Sequence, residues 1–232
     1  TTVVSESRSI APAEEWLLDN FYLIEENIRT AKRHLSRGYS RGLPWLTQGD
    51  AAGLPRVYDL AQEIISHGDG RVDLENLVSF ITAYQSVSYL KLGELWAIPI
   101  MLRLALIENL RRIGTRIMAD IADRSRANNW ADQMIDVARR DPKSLVLSIA
   151  DMARSDPPLV SSFVAEFARR LQGKSPALAL PLGWIEQRLS ESHLTIERMI
   201  QSGNQRLAAD QASVSNSIGS LRFLSKMDWR EF

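Results

Sequence analysis

The sequence contains no cysteine and carries no net charge. The absence of cysteine excludes disulfides, thiolate metal sites and a cysteine nucleophile. Lysine and arginine together number 28, and aspartate and glutamate together also number 28. A chain with no net charge has no overall field that attracts nucleic acid or an anionic membrane. Nucleic acid is therefore not an expected partner.

Histidine is scarce, and the common catalytic motifs are missing. The three histidines, His34, His67 and His193, never pair at helical spacing, so no metal site is expected. The sequence has no Asp-x-Asp, the carboxylate pair with which many nucleotide-sugar glycosyltransferases hold a divalent metal. It also lacks a Gly-x-Ser-x-Gly elbow and a glycine-rich nucleotide-binding turn. We therefore assign no catalytic, cofactor-binding or metal-binding residue.

No hydrophobic run is long enough to span a membrane. The longest apolar stretch, residues 95–107, is shorter than the roughly 20 residues that a spanning helix needs. Glu94 and Glu108 bracket it, and Arg103 is the one charged residue inside it. A helix without a polar face must be buried. We therefore predict a buried central helix over about residues 88–120, with these core positions: Leu95, Ile98, Leu102 and Leu106.

The rest of the chain carries apolar residues at steps of three and four, the period of amphipathic helices. One helix is predicted from Pro12 to about His34, and these residues form its core face: Trp16, Leu17, Phe21, Ile24 and Ile28. Residues 36–55 are rich in glycine and proline and should be irregular.

From about residue 123 the pattern changes to shorter helices. Asp141-Pro142, Asp156-Pro157 and Ser175-Pro176 each combine a capping residue with a proline that suits the first helical turn, so each predicts a helix start. No alternating run competes as a strand. The predicted fold class is all-α, a multi-helix bundle around the central helix with shorter helical hairpins in the C-terminal half.

The predicted domain organisation is simple. Residues 1–11 are polar and expected to be disordered or frayed, and residues 12–232 are expected to form a single helical region. The change of pattern also allows two packed subdomains, 12–122 and 123–232. The chain does not begin with methionine and ends in an apolar segment, so we expect it to be a piece of a longer protein.

The polar residues of the central helix are the main candidates for buried or contact roles. A buried Arg103 needs a partner because an isolated buried charge is costly, and we expect an acid of the first helix, Glu15 or Asp19. Glu108 reaches Arg111 and Arg112 at helical spacing. Five arginines could instead form a docking face for a partner or lipid headgroups, although a solvated face is the more common case. They are Arg111, Arg112, Arg116, Arg124 and Arg126. The candidate set is Trp16, Asp19, Glu94, Trp96, Arg103, Glu108, Arg111 and Arg112.

Six segments resemble the N-terminal region of cyclic β-1,2-glucan synthases and occur in that family's order. They are residues 15–20 (EWLLDN), 53–58 (GLPRVY), 83–87 (AYQSV), 93–103 (GELWAIPIMLR), 106–112 (LIENLRR) and 228–232 (DWREF). The resemblance implies a soluble region on the cytoplasmic side of the bacterial inner membrane, preceding the membrane-embedded glycosyltransferase that polymerises glucose from UDP-glucose. No catalytic residue of the family matches a position in this chain.

The sequence leaves three alternative functions for this chain. The first is a non-catalytic accessory region that scaffolds the glycosyltransferase or contacts its UDP-glucose or β-1,2-glucan. The second is an independent helical module that recruits another protein. The third, an enzyme in its own right, is the least favoured because the sequence supplies no catalytic constellation. No cofactor is expected in this chain, and the remainder of the parent synthase is the expected partner.

Overall fold

The structure is a computed structural model, and it describes residues 12–35 and 37–227. The predictions for residues 1–11 and 228–232 lie outside these residues. The described part of the chain folds into the following α-helices: α1 (Pro12–Asp19), α2 (Phe21–His34), α3 (Arg37–Arg41), α4 (Arg56–His67), α5 (Leu74–Val87), α6 (Leu92–Arg140), α7 (Leu145–Ser155), α8 (Ser161–Leu171), α9 (Ala179–Ser190) and α10 (Ile196–Lys226).

The predicted all-α class is confirmed. Two short 3₁₀ helices, Pro142–Ser144 and Pro176–Leu178, precede α7 and α9. Within the described residues the one extended pairing is an isolated antiparallel bridge between Trp45 and Pro55. This bridge closes the glycine- and proline-rich loop, which is irregular as predicted except for the short α3.

The chain divides into two compact units. Of the described residues, 12–35, 37–114 and 209–227 belong to the first unit and 115–208 to the second. Helices α6 and α10 each contribute residues to both units.

Helix α6 is the predicted central helix, and residues 97–110 of it are all buried or half-buried. Ile98, Leu102 and Leu106 have at most 2% of their surface exposed, as the apolar run predicts. The prediction is wrong for Trp96, which is 68% exposed, and Leu95 is only partly buried. The helix is much longer than predicted, because the buried stripe continues past residue 123 through small residues. These are Ala127, Ala131 and Ala138, together with Met134. Alanine gives a weak hydrophobic signal, so the continuation is hard to recognise in the sequence.

The predicted first helix is wrong in its continuity and in its core face. Asn20 separates α1 from α2, with its side-chain amide donating to the Trp16 carbonyl at 2.8 Å. Asparagine competes with the helical backbone for hydrogen bonds in this way. The residues predicted to face the core include Trp16 and Phe21, which are 39% and 56% exposed. The buried positions of the two helices are Ala13, Leu23, Asn27 and Ala31.

The second unit packs the short helices α7, α8 and α9 with the second half of α6 and the start of α10 around one apolar core. Met134, Met152 and Phe163 are fully buried in it, and the Phe163 and Phe167 rings stack at a centroid distance of 5.9 Å. Asp141 and Ser175 cap the two 3₁₀ turns through their side chains, as predicted.

The third predicted helix start in this half of the chain is wrong. Asp156 ends α7 in a left-handed conformation, with φ of 44°, and the two prolines that follow it lie in a loop before α8. Aspartate tolerates this conformation better than most residues. An Asp-Pro pair therefore marks a helix end here.

The turn between α4 and α5 lies against α10 within the first unit. Ser220 Oγ donates to the Gly70 carbonyl and accepts from the Val72 amide, each at 2.8 Å. Gly70 has φ of 82°, and a Cβ atom there would lie 2.3 Å from Ser217 Oγ. Only glycine fits this close approach, so Gly70 has a structural role in this turn.

Candidate functional site

The most elaborate polar contact of the first unit joins the start of α4 to the start of α6. Arg56 donates to Glu94 through Nε at 3.0 Å and through Nη2 at 2.7 Å. The Glu94 side chain is 1% exposed, and the Arg56 side chain is 22% exposed. A bidentate pair of this kind has the fixed geometry that makes Arg–carboxylate contacts strong.

The chain around this pair supplies further partners. Arg56 also donates to Ser88 Oγ and to the Tyr89 carbonyl, and its guanidinium lies 6.0 Å from the centre of the Tyr84 ring. The hydrogen bond that Arg56 donates to Glu94 raises the pKa of Arg56 above its ordinary value. We call the group formed by Arg56, Glu94 and Ser88 the corner anchor.

Glu94 also shapes the beginning of α6. Its Oε2 accepts from the Lys91 amide at 3.0 Å, which satisfies a backbone donor at the helix start. Beside it, the Tyr39 hydroxyl donates to the Gly93 carbonyl at 2.6 Å. The corner anchor and Tyr39 therefore fix the direction in which α6 leaves the α5–α6 junction.

Large apolar side chains around this junction are exposed. Leu92 and Trp96, one helical turn apart, are 61% and 68% exposed, whereas Glu94 between them faces inward. Val87 and Tyr89, just before α6, are 90% and 78% exposed. We call these four residues the corner surface. A group of large apolar side chains that a rigid polar anchor holds in water is typical of an interaction site.

Arg103 is buried as predicted, but its predicted acidic partner is wrong. Its guanidinium donates to Asn27 Oδ1 at 3.1 Å and to two carbonyls, those of Pro99 at 3.3 Å and Leu224 at 2.7 Å. No carboxylate of the described residues forms an ion pair with it. Leu224 lies in the last turn of α10, where a helix carries partial negative charge. Burial lowers the pKa of Arg103.

Three other predicted polar residues of α6, Glu108, Arg111 and Arg112, form ion pairs at the surface. Glu108 accepts from Arg111 at 2.7 and 2.8 Å and from Arg112 at 3.2 Å, as the helical spacing predicts. The hydrogen bond from Arg111 lowers the pKa of Glu108. The two arginine side chains are 64% and 59% exposed, which fits a solvated face.

The candidate residues of the first helix lie at the surface. Asp19 is the last residue of α1 and is exposed, and Trp16 is partly exposed. Sequence reasoning did not assign a role to Arg56, Tyr39 or Asn27. Arg56 directly follows Pro55 at the start of a helix, but nothing in that local pattern indicates a partner 38 residues later.

A second feature, in the second unit, is a polar cleft of about 140 Å³ between α6, α8 and α10. Arg206 donates to Asp120 at 2.7 Å across the cleft, and Arg169 forms a bidentate contact with Glu166. Arg124 also lines the cleft and donates through Nε to the Asp120 carbonyl.

Residues 12–35 and 37–227 contain no group of three or more histidines and carboxylates that could hold a metal ion. Over the same residues no helix combines the length and hydropathy needed to cross a membrane.

Comparison with known proteins identifies a relative. No protein-family model matches the chain. Over 226 residues the chain is 34% identical to the cyclic beta-(1,2)-glucan synthase NdvB of Rhizobium meliloti (strain 1021). The match includes 97% of this chain but 8% of that synthase. The chain is thus similar to one region of a much longer synthase, which confirms the resemblance predicted from the sequence.

Proposed function

We propose that this chain is a non-catalytic accessory region of a cyclic β-1,2-glucan synthase that docks on the glycosyltransferase part of the same protein. The observation that carries the proposal is the corner surface, four large apolar side chains exposed to water on an anchored junction. The occupant we propose is the remainder of the synthase, because the matched region accounts for 8% of NdvB.

The corner surface suits docking for two physical reasons. Trp and Tyr are the residues that most often contribute large binding energies at protein interfaces. The backbone below them is held by the corner anchor and by Tyr39, so little conformational freedom remains to be lost on binding. The expected location is the cytoplasmic side of a bacterial inner membrane, following the resemblance of the sequence to this family.

The test is glucan synthesis from UDP-glucose by membranes containing the complete synthase. Replacing Leu92 and Trp96 together by serine should lower synthesis at least about tenfold, the effect of losing roughly 1.4 kcal/mol of docking free energy. The matched control replaces Val146 and Leu147 by serine, since these residues are 60% and 67% exposed but lie in the second unit.

The stability of the isolated chain separates docking from misfolding. The Leu92 and Trp96 side chains are exposed, so their replacement should change the free energy of unfolding by no more than about 0.5 kcal/mol. Unchanged synthesis by a normally folded Leu92/Trp96 variant would contradict the proposal.

Two further measurements address the other functions. Capture of a separate protein through the corner surface, with normal synthesis by the Leu92/Trp96 variant, would favour an independent recruiting module. Transfer of glucose from UDP-glucose by the isolated chain would overturn the non-catalytic assignment.

A further inference from the structure

We infer that the polar cleft of the second unit is a binding site for a small phosphate-class oxyanion. The inference does not depend on the docking proposal, because every residue that lines the cleft belongs to the second unit and the corner surface to the first. Three features of the cleft favour an oxyanion. They are an unbalanced positive charge, a buried hydrogen-bond donor without an acceptor, and a helix start without a side-chain cap.

The first feature is an excess of positive charge. Asp120 pairs with Arg206, and Glu166 pairs with Arg169. Arg124, the third guanidinium of the cleft, forms no ion pair with any carboxylate of the described residues and donates instead to the Asp120 backbone carbonyl. The cleft therefore carries one cation more than its carboxylates balance.

The second feature is a buried donor without an acceptor. The Nε–H of Arg206 is inaccessible to solvent and has no hydrogen-bond partner within the described part of the chain. Buried polar atoms nearly always have a partner, and a small turn of the Arg206 side chain, which is 40% exposed, would bring this donor to an anion in the cleft.

The third feature is the start of α8, which borders the cleft through Ser161 and Ser162. Its N-cap residue, Val160, offers no side-chain oxygen to the free amides of the first turn. Helix N-termini have unpaired amides and partial positive charge, and both favour anions. Here the helix start adds to the arginines and does not stand alone.

The size of the cleft limits the ligand. A cavity of 150 Å³ holds a molecule as large as benzene, so a cleft of about 140 Å³ accommodates one or two phosphate groups. Complete small-molecule sites usually need about 300 to 1,000 Å³. The ligand is therefore free phosphate or the diphosphate of a nucleotide whose remaining part lies outside the cleft.

The test is calorimetric titration of the complete 232-residue chain with inorganic phosphate, pyrophosphate, UDP and uridine at constant ionic strength. We expect saturable binding of the phosphate-containing ligands and none of uridine. Tighter binding of UDP than of phosphate or pyrophosphate would identify a nucleotide as the source of the anion. Equal binding of phosphate and UDP would identify free phosphate.

Three variants decide whether the cleft is the site. Arg124→Gln should weaken anion binding at least about tenfold, and Ala165→Glu should abolish it by placing a carboxylate in the cleft while keeping all three arginines. Arg154→Gln, which changes an exposed arginine of the same unit outside the cleft, should leave binding unchanged. Denaturation curves identify any variant that does not fold, and Ala165→Glu provides the test if Arg124→Gln is unstable. Absence of saturable binding of phosphate, pyrophosphate and UDP alike, or equal binding by wild type and a folded Ala165→Glu chain, would overturn the inference.

Discussion

At the scale of single residues, Arg103 shows how a buried guanidinium is accommodated without a carboxylate. Its counter-charge is the carbonyl end of α10, reached through Leu224, and a neutral amide oxygen, Asn27 Oδ1. The sequence predicts that Arg103 is buried and needs partners, because it lies in an apolar run. It cannot identify them, because a helix end 121 residues away gives no local signal.

The coupling between Arg103 and Asn27 can be measured directly. Arg103→Met, Asn27→Ala and the double variant form a double-mutant cycle, with unfolding followed in urea. We expect a coupling energy of about 1.5 to 3 kcal/mol, the range for a hydrogen bond to a charged group. A coupling energy near zero would mean that Arg103 is stabilised by its two carbonyl partners alone.

Glu108 gives a pH-dependent prediction. Because Arg111 lowers the pKa of Glu108 in the folded chain, the pair stabilises the fold above the unfolded pKa of about 4.3 and this contribution is lost as pH falls through the folded value. The free energy of unfolding of the wild type should therefore fall more steeply below about pH 5 than that of Glu108→Gln.

Repeating the pH comparison at high ionic strength provides its control. The pair is largely exposed, so the difference between the two chains should be small and should shrink at high ionic strength. Parallel pH profiles at low salt would contradict the assigned ion pair.

At the scale of elements, periodicity predicts which segments are helical better than where they end. The apolar run predicts that the first part of α6 is buried. The buried positions continue to residue 138, mostly as alanines, and the run does not predict this continuation. Asn20 separates α1 from α2, and Asp156 ends α7 in a left-handed conformation. The apolar periodicity of the sequence predicts neither of these breaks. The helix content is thus readable from the sequence, whereas these ends depend on individual backbone geometries.

The packing of α6 is open to a matched test. Leu102→Ala should lower the free energy of unfolding by about 2 to 5 kcal/mol, because Leu102 is fully buried. Met118→Ala, on the same helix but with the Met118 side chain 66% exposed, should change it by no more than about 0.5 kcal/mol. Similar small losses in both variants would contradict the buried position of the first half of α6.

At the scale of the whole molecule, the family resemblance is the strongest prediction from the sequence, and the match to NdvB confirms it. The corner surface was only partly foreseen. Trp96 was a candidate contact residue, but its 68% exposure contradicts the prediction that the apolar run of residues 95–107 is buried throughout. The reason is that Glu94 takes the inward-facing position at the start of α6, which turns its neighbours outward.

The most direct test of the docking proposal is site-specific photo-crosslinking in the complete synthase. Benzoylphenylalanine introduced at Trp96 should crosslink, on irradiation, to peptides of the glycosyltransferase part of the same protein, identified by mass spectrometry. The same probe at Leu147, a residue of equal exposure in the second unit, serves as the control. Crosslinks from position 96 to the glycosyltransferase part, absent from position 147, are the predicted result. Crosslinks from position 96 to other proteins or to none would contradict the proposal.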